Sequence, residues 1–170
     1  MAGRVRGFWA WYEKHYALNV AIAAALFLLQ LVHLYWLTVD VVAYRLVGER
    51  YLGLEGALRY VILVVDYTEI PALIGTSLLY VNDLRKRFSW RAVIFLVFLN
   101  SQWLHIFWIT DEFVVGEFTG GGGSSLPVWL AWVAIGIDYL ELPVIVDVLR
   151  KLVAALRRHR VDVFLREELR

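Results

Sequence analysis

No cysteine occurs in the 170 residues, which also include one methionine and only three prolines. Without thiols the chain has no disulfide, no thiolate metal site and no iron–sulfur ligation, so any metal must be held by nitrogen and oxygen. Charge is scarce as well: Asp, Glu, Lys and Arg supply 19% of the residues against 61% hydrophobic, with a net charge of +1. Soluble domains carry about a quarter charged and about half apolar residues. This composition, with a mean hydropathy of +0.62, excludes a soluble globular domain.

What is present instead is a set of long apolar runs. Four can be drawn, at roughly residues 17–46, 56–81, 91–117 and 127–155. Each is long enough to cross a hydrocarbon core of about 30 Å at about 1.5 Å per helical residue. The pattern predicts an all-α integral membrane protein, a four-transmembrane-helix bundle forming a single membrane domain over residues 1–170. The first run follows GRVRGFWAWYEKHY and lacks a small-residue cleavage signature, so it reads as a retained helix rather than a signal peptide.

Basic residues orient the bundle. Three lie in the N-terminal arm (Arg4, Arg6, Lys14), four in the connection between runs two and three (Arg85, Lys86, Arg87, Arg91) and seven from Arg150 onward. Only Arg45, Arg50 and Arg59 flank the first connection, and EFTGGGGSSLP has none. Both termini are therefore expected on the cytoplasmic side of the cell membrane, with residues 159–170 as a basic tail. Beside a bilayer such a tail reads as a helix end held at anionic headgroups, which makes membrane lipid the expected partner and nucleic acid not. A homo-oligomer is compatible with the pattern. TGGGGSS has no phosphate-loop lysine and reads as a flexible outer loop.

An internal repeat organises the polar residues. Shifted by 72 positions, Gln30, His33, Trp36, Thr38, Asp66, Tyr67, Glu69 and Pro71 fall on Gln102, His105, Trp108, Thr110, Asp138, Tyr139, Glu141 and Pro143, and Asp40 falls on Glu112. The matches concentrate on polar residues, Trp and Pro rather than on interchangeable Leu and Val. The chain thus reads as two tandem helical hairpins, at approximately 17–86 and 89–158. Because each unit has an even number of helices, the two share one topology, and their pseudo-twofold axis should run along the membrane normal.

Helical spacing then aims the polar residues. Gln to His is i to i+3 and His to the outer acid is i to i+7, so Gln30, His33 and Asp40 share one face, as do Gln102, His105 and Glu112. In DYTE and DYLE the two acids are i and i+3, again on one face. His33, His105, Glu69 and Glu141 are expected near mid-membrane, Asp66 and Asp138 slightly outward, Asp40 and Glu112 further outward. An unpaired carboxylate in hydrocarbon costs several kcal/mol, and no basic residue lies in any helix interior to offset it. Imidazole with several carboxylates is a ligand set for zinc, iron or manganese. The expected ligands are His33, Asp40, Asp66, Glu69, His105, Glu112, Asp138 and Glu141, holding two or three divalent transition-metal ions. Glu69 and Glu141 would bridge, and Asp40 and Glu112 are the candidate catalytic groups, as ligand or proton acceptor.

Two His with Asp66, Glu69, Asp138 and Glu141 resemble, in ligand count and pseudo-twofold bundle, the ferritin-like di-iron carboxylate proteins. The Glu-x-x-His motif of that family is absent, since His and the acid pair lie on different helices here, so the resemblance carries no activity over. Gln30 and Gln102 are placed to hydrogen-bond a ligand, with Tyr67 and Tyr139 beside the acids and Thr38 and Thr110 near the outer acid. Pro71 and Pro143 are expected to kink their helices beside the site. Asp147 reads as an ion pair with Arg150 and Lys151.

The resulting expectation is a dinuclear or trinuclear membrane metalloprotein, a metal-dependent hydrolase or oxidoreductase acting on a lipid-phase or non-cytoplasmic substrate. The alternative is a proton or divalent-cation transporter or channel using the same acid ladder. Below Gln30, ALNVAIAAALFLL offers no polar exit apart from Asn19, although Asn100 and Asp147 could supply one. A haem held between His33 and His105 is disfavoured by six converging acids with no compensating arginine.

Overall fold

The computed structural model describes residues 2–49, 51–53, 57–111 and 127–168, and these contain helices and no strand. Helix α1 covers Ala2–Lys14. Helix α2 (Tyr16–Trp36) continues through a π-helical segment, Leu37–Val42, into α3 (Ala43–Val47). The rest of the described chain is α4 (Ala57–Tyr67), α5 (Glu69–Lys86), α6 (Trp90–Ile109), α7 (Val128–Asp138) and α8 (Glu141–Glu168). Four continuous stretches are long and apolar enough to cross a membrane: Tyr16–Val47, Tyr60–Lys86, Trp90–Ile109 and Trp129–Arg158. Residues 112–126 lie outside the described chain, and with them Glu112 and the glycine-rich segment. Backbone helix runs on through 159–168, so most of the basic tail continues α8.

The ends of these helices follow from their residues. The first span stops at Gly48, whose φ of +81° is left-handed and whose N–H donates to Tyr44 O at 2.9 Å. Glycine adopts this C-terminal geometry without the Cβ clash other residues meet. Between α5 and α6 the chain turns through extended residues at Arg87 and Ser89.

Large apolar side chains cover the exterior, and a set of polar side chains is buried within an otherwise apolar core. Leu18, Ile22, Val32, Val61, Val64, Val97, Leu104, Phe107 and Trp129 face outward, while Gln30, His33, Asp66, Glu69, Gln102, His105, Asp138 and Glu141 are buried. An apolar exterior of this extent is consistent with an apolar surrounding. Ala23, Ala24 and Ala72 lie in the same buried cluster as Phe27, Leu73, Leu99 and Val144, and such small side chains let helices approach closely.

Candidate metal centre

The second and fourth spans are each disturbed where they carry their acids. Pro71 and Pro143 have no N–H, and each ring opposes the carbonyl four residues back, that of Tyr67 and Tyr139. The disturbance expected from sequence falls where α4 gives way to α5 and α7 to α8, at residue 68 and residues 139–140, while Thr68 and Tyr139 keep right-handed helical φ and ψ. Tight i to i+3 bonds bridge the gaps, from Thr68 N to Val65 O at 2.9 Å and from Leu140 N to Ile137 O at 2.9 Å. Each proline then sits in the first turn of the new helix, where a missing N–H costs nothing.

The four spans each contribute one residue to a chain of contacts. His33, from α2, sets Nδ1 against Asp66 Oδ1 of α4, and its Nε2 lies 3.0 Å from Asp138 Oδ2 of α7. The same Oδ2 is 3.2 Å from His105 Nδ1 of α6. The two imidazoles meet nearly edge to face, with centroids 5.3 Å apart and planes at 70°. All four residues are at most 6% exposed.

The donor set fits a transition-metal ion. His33, His105 and Asp138 each offer a ligand atom, and these atoms lie within 4.8 Å of one another. Tetrahedral coordination with bonds of about 2.0–2.1 Å separates ligand atoms by about 3.3 Å. The observed 3.0 and 3.2 Å are compatible with that value, and the 3.0 Å contact is in the absence of an ion a hydrogen bond between His33 and Asp138. Asp66 stands behind His33, on the ring nitrogen that faces away from Asp138. A carboxylate so placed takes the N–H of a ligating imidazole and fixes its tautomer and orientation. Asp66 and Asp138, equivalent in the repeat, are therefore not equivalent in space: one meets a single imidazole, the other meets both. His105 Nε2 has no hydrogen-bond partner among the described residues.

Glu69 and Glu141 are each 2% exposed, and their carboxyl groups come within hydrogen-bonding reach of each other. One oxygen of each, Oε1, has no partner among the described residues. Desolvating an ionised carboxylate costs several kcal/mol, and two facing each other also repel. Among the described residues the basic partners of this acid group are His33 and His105 alone. The arrangement calls for a cation or for protons.

Around these residues, side chains 72 positions apart make similar hydrogen bonds. Gln30 Nε2 donates to Val65 O at 3.1 Å and to Thr68 Oγ1 at 3.2 Å, and Gln102 Nε2 donates to Ile137 O at 2.9 Å. Both amides thus hold the carbonyl immediately before an aspartate, rather than a ligand side chain. Thr38 Oγ1 lies 2.7 Å from Tyr139 OH, and Thr110 Oγ1 lies 2.8 Å from Tyr67 OH. Each threonine donates its only hydroxyl hydrogen to a carbonyl of its own helix, that of Leu34 or Ile106, so each tyrosine is the donor to its threonine. Trp36 and Trp108 lie beside His33 and His105 at centroid distances of 5.8 and 5.7 Å.

The outer acid is engaged elsewhere. Asp40 is buried in the π-helical segment, and its Oδ1 accepts from the backbone N–H groups of Leu52 at 3.3 Å and Gly53 at 3.1 Å. Thr110 and Asp111 are also π-helical, at the corresponding place in the third span. Such bulges often accompany functional sites. Glu112 lies outside the described residues.

At the opposite end, Asp147 is paired with Lys151 Nζ at 2.9 Å and Arg91 Nη2 at 2.7 Å, and accepts from Tyr80 OH at 2.9 Å. Lys151 also meets Asp83 at 2.7 Å. Lys151 is the partner expected from sequence. Arg91 takes the place expected for Arg150, and no spacing rule announces it, since it comes from another span. Thr68 is likewise unannounced, because its repeat counterpart is Leu140.

Neither a protein-family model, nor a curated protein, nor a solved structure matches this chain.

Proposed function

We propose that this chain is an integral membrane metalloprotein with a dinuclear or trinuclear His/carboxylate site, acting as a metal-dependent hydrolase or oxidoreductase on a lipid-phase or non-cytoplasmic substrate. The observation that carries the reading is the convergence of His33 Nε2, His105 Nδ1 and Asp138 Oδ2 inside a bundle whose exterior is apolar. These three would hold one ion. Glu69 and Glu141 would hold a second, and zinc, iron and manganese suit the donors. Bound metal would supply Lewis-acid activation of water, or redox chemistry if it is iron.

This chain's own residues have separable tasks in that scheme. Asp66 keeps His33 in the tautomer that presents Nε2, and the free oxygens of Glu69 and Glu141 accept a proton or a ligand bond. Gln30 and Gln102 hold the disturbed helices that carry the acids. The paired Gln contacts and the reciprocal Thr–Tyr bonds support two tandem hairpins about a pseudo-twofold axis along the membrane normal. The basic-residue asymmetry supports cytoplasmic termini.

Transport of protons or divalent cations is favoured by one observation: Thr76 and Asn82 are fully buried inward of Glu69, and each has a side-chain polar atom without a hydrogen-bond partner. Against it, Leu73, Val144 and Val148 are packed shut between the acids and that end.

Elemental analysis of the purified protein, carrying no polyhistidine tag, tests the reading beside the Glu69→Ala, Glu141→Ala double variant. About two ions per chain are expected in the native protein, with loss of the glutamate-held ion in the variant. A native protein that is metal-free and stays folded through chelation would overturn it.

A further inference from the structure

Helix α1 is not needed for any of this, yet it is held firmly against the bundle. Arg85 lies over the Trp9 ring at 4.1 Å, Lys86 Nζ meets Glu13 at 3.5 Å, and Asn19 Nδ2 donates to Tyr12 O at 3.2 Å. Tyr12 is 4% exposed. Trp9 and Tyr12, at i and i+3, therefore form the docking face of α1.

Two other faces remain. Arg4, Phe8 and Trp11, at i, i+4 and i+7, form one, and Phe8 is 41% and Trp11 53% exposed with their rings 6.4 Å apart. Gly3, Gly7, Ala10 and Lys14 form the other, flanked by Arg6, and all of these are exposed. The helix thus has one face for the bundle, one aromatic and one small and basic. At the same end of the molecule Phe88 and Trp90 are exposed beside Arg87 and Arg91. A side chain that is apolar in body with a polar tip belongs at a bilayer surface, and clustered Lys and Arg there attract anionic lipid at about fivefold preference per charge.

We infer that α1 is an in-plane interfacial helix that recruits anionic phospholipid to this end of the bundle, with Phe8 and Trp11 set into the acyl boundary, Arg4 snorkelling from that same face up to the headgroup phosphates and Arg6 lying on them. Charge complementarity selects the occupant: α1 carries three basic residues, and its one acid, Glu13, is already paired with Lys86. Continuity selects it too, since α1 leads directly into the first apolar span. The inference is independent of the metal reading.

Because the chain has no cysteine, single labels can be placed on the full-length protein. Nitroxides at Trp11→Cys and Ala10→Cys, in lipid nanodiscs of phosphatidylcholine with phosphatidylglycerol, read immersion by collision with oxygen against a water-soluble nickel chelate. The Trp11 label should favour oxygen and the Ala10 label the chelate. Phosphatidylglycerol retained on the purified protein should fall about fivefold for each of Arg4→Gln and Arg6→Gln. Equal chelate access at both labels, or unchanged phosphatidylglycerol retention in the arginine variants, would overturn the inference; metal content is expected to stay the same in every arm.

Discussion

Under the metal reading proposed above, replacing Asp66 and Asp138 separately by Asn distinguishes a metal ligand from a residue that orients one. Both side chains keep their size, and the 72-residue repeat treats them as the same position. In space Asp138 Oδ2 touches both imidazoles, at 3.0 and 3.2 Å, whereas Asp66 touches only the far nitrogen of His33. Asp66→Asn removes a carboxylate behind a ligating imidazole, a change that typically weakens metal affinity 10–100-fold, or about 1.4–2.7 kcal/mol. Asp138→Asn removes the anionic ligand itself and leaves two neutral imidazoles. The cost of deleting one member of a buried charge pair, about 3–5 kcal/mol, gives a loss of about 200- to 5,000-fold. Competition against chromophoric chelators of graded affinity would measure both, with folding checked by circular dichroism. Equal losses in the two variants, or a larger loss at Asp66, would refute the assignment of unlike roles.

Gln102→Leu should cost about 1 kcal/mol in unfolding by a denaturing detergent, since one hydrogen bond to Ile137 O is lost. It should leave the number of bound ions unchanged, whereas a glutamine acting as a ligand would lose one. The docking of α1 should depend on pH in the alkaline range. Burial, with Tyr16 and Asp83 nearby, pushes the Tyr12 phenol from 10.0 up to about 12, so the docked state keeps a proton that the free helix loses. That contribution is fully present below pH 10 and fades as pH rises through about 12. A nitroxide on α1 should gain mobility over this window, and Tyr12→Phe should reduce the pH dependence; mobility that rises equally in that variant would refute it.

The four spans are legible in the sequence because hydropathy is summed over about 20 residues and tolerates error at any one of them. The inward faces are legible for a similar reason: Gln30, His33, Asp66 and Glu69 obey helical spacing, and their counterparts repeat it. Spacing does not fix the rotation and tilt of one helix against another. That is why it cannot tell which imidazole Asp66 or Asp138 meets, and the repeat argues for a sameness that the packing breaks. Main-chain partners are harder still. Asp40 looks like one more inward acid, yet its carboxylate meets the N–H groups of Leu52 and Gly53, and backbone donors leave no mark on a sequence. The prolines show the converse case. Pro71 and Pro143 announce a disturbance, and the rule that a ring opposes the carbonyl four residues back places it correctly.

The unlike roles of Asp66 and Asp138 bear on how such a site could change over time. In a symmetric pair of identical hairpins, every substitution strikes both half-sites at once, so a mutation that improves one ligand spoils its twin. Under the tandem duplication proposed above, each half-site answers to its own codons. Thr68 opposite Leu140, Asp147 opposite Gly75 and Asp40 opposite Glu112 are positions where the halves have already parted. Fusion into one chain frees a lineage to specialise one carboxylate for binding and its twin for steering, a divergence that a homodimer of identical subunits cannot reach.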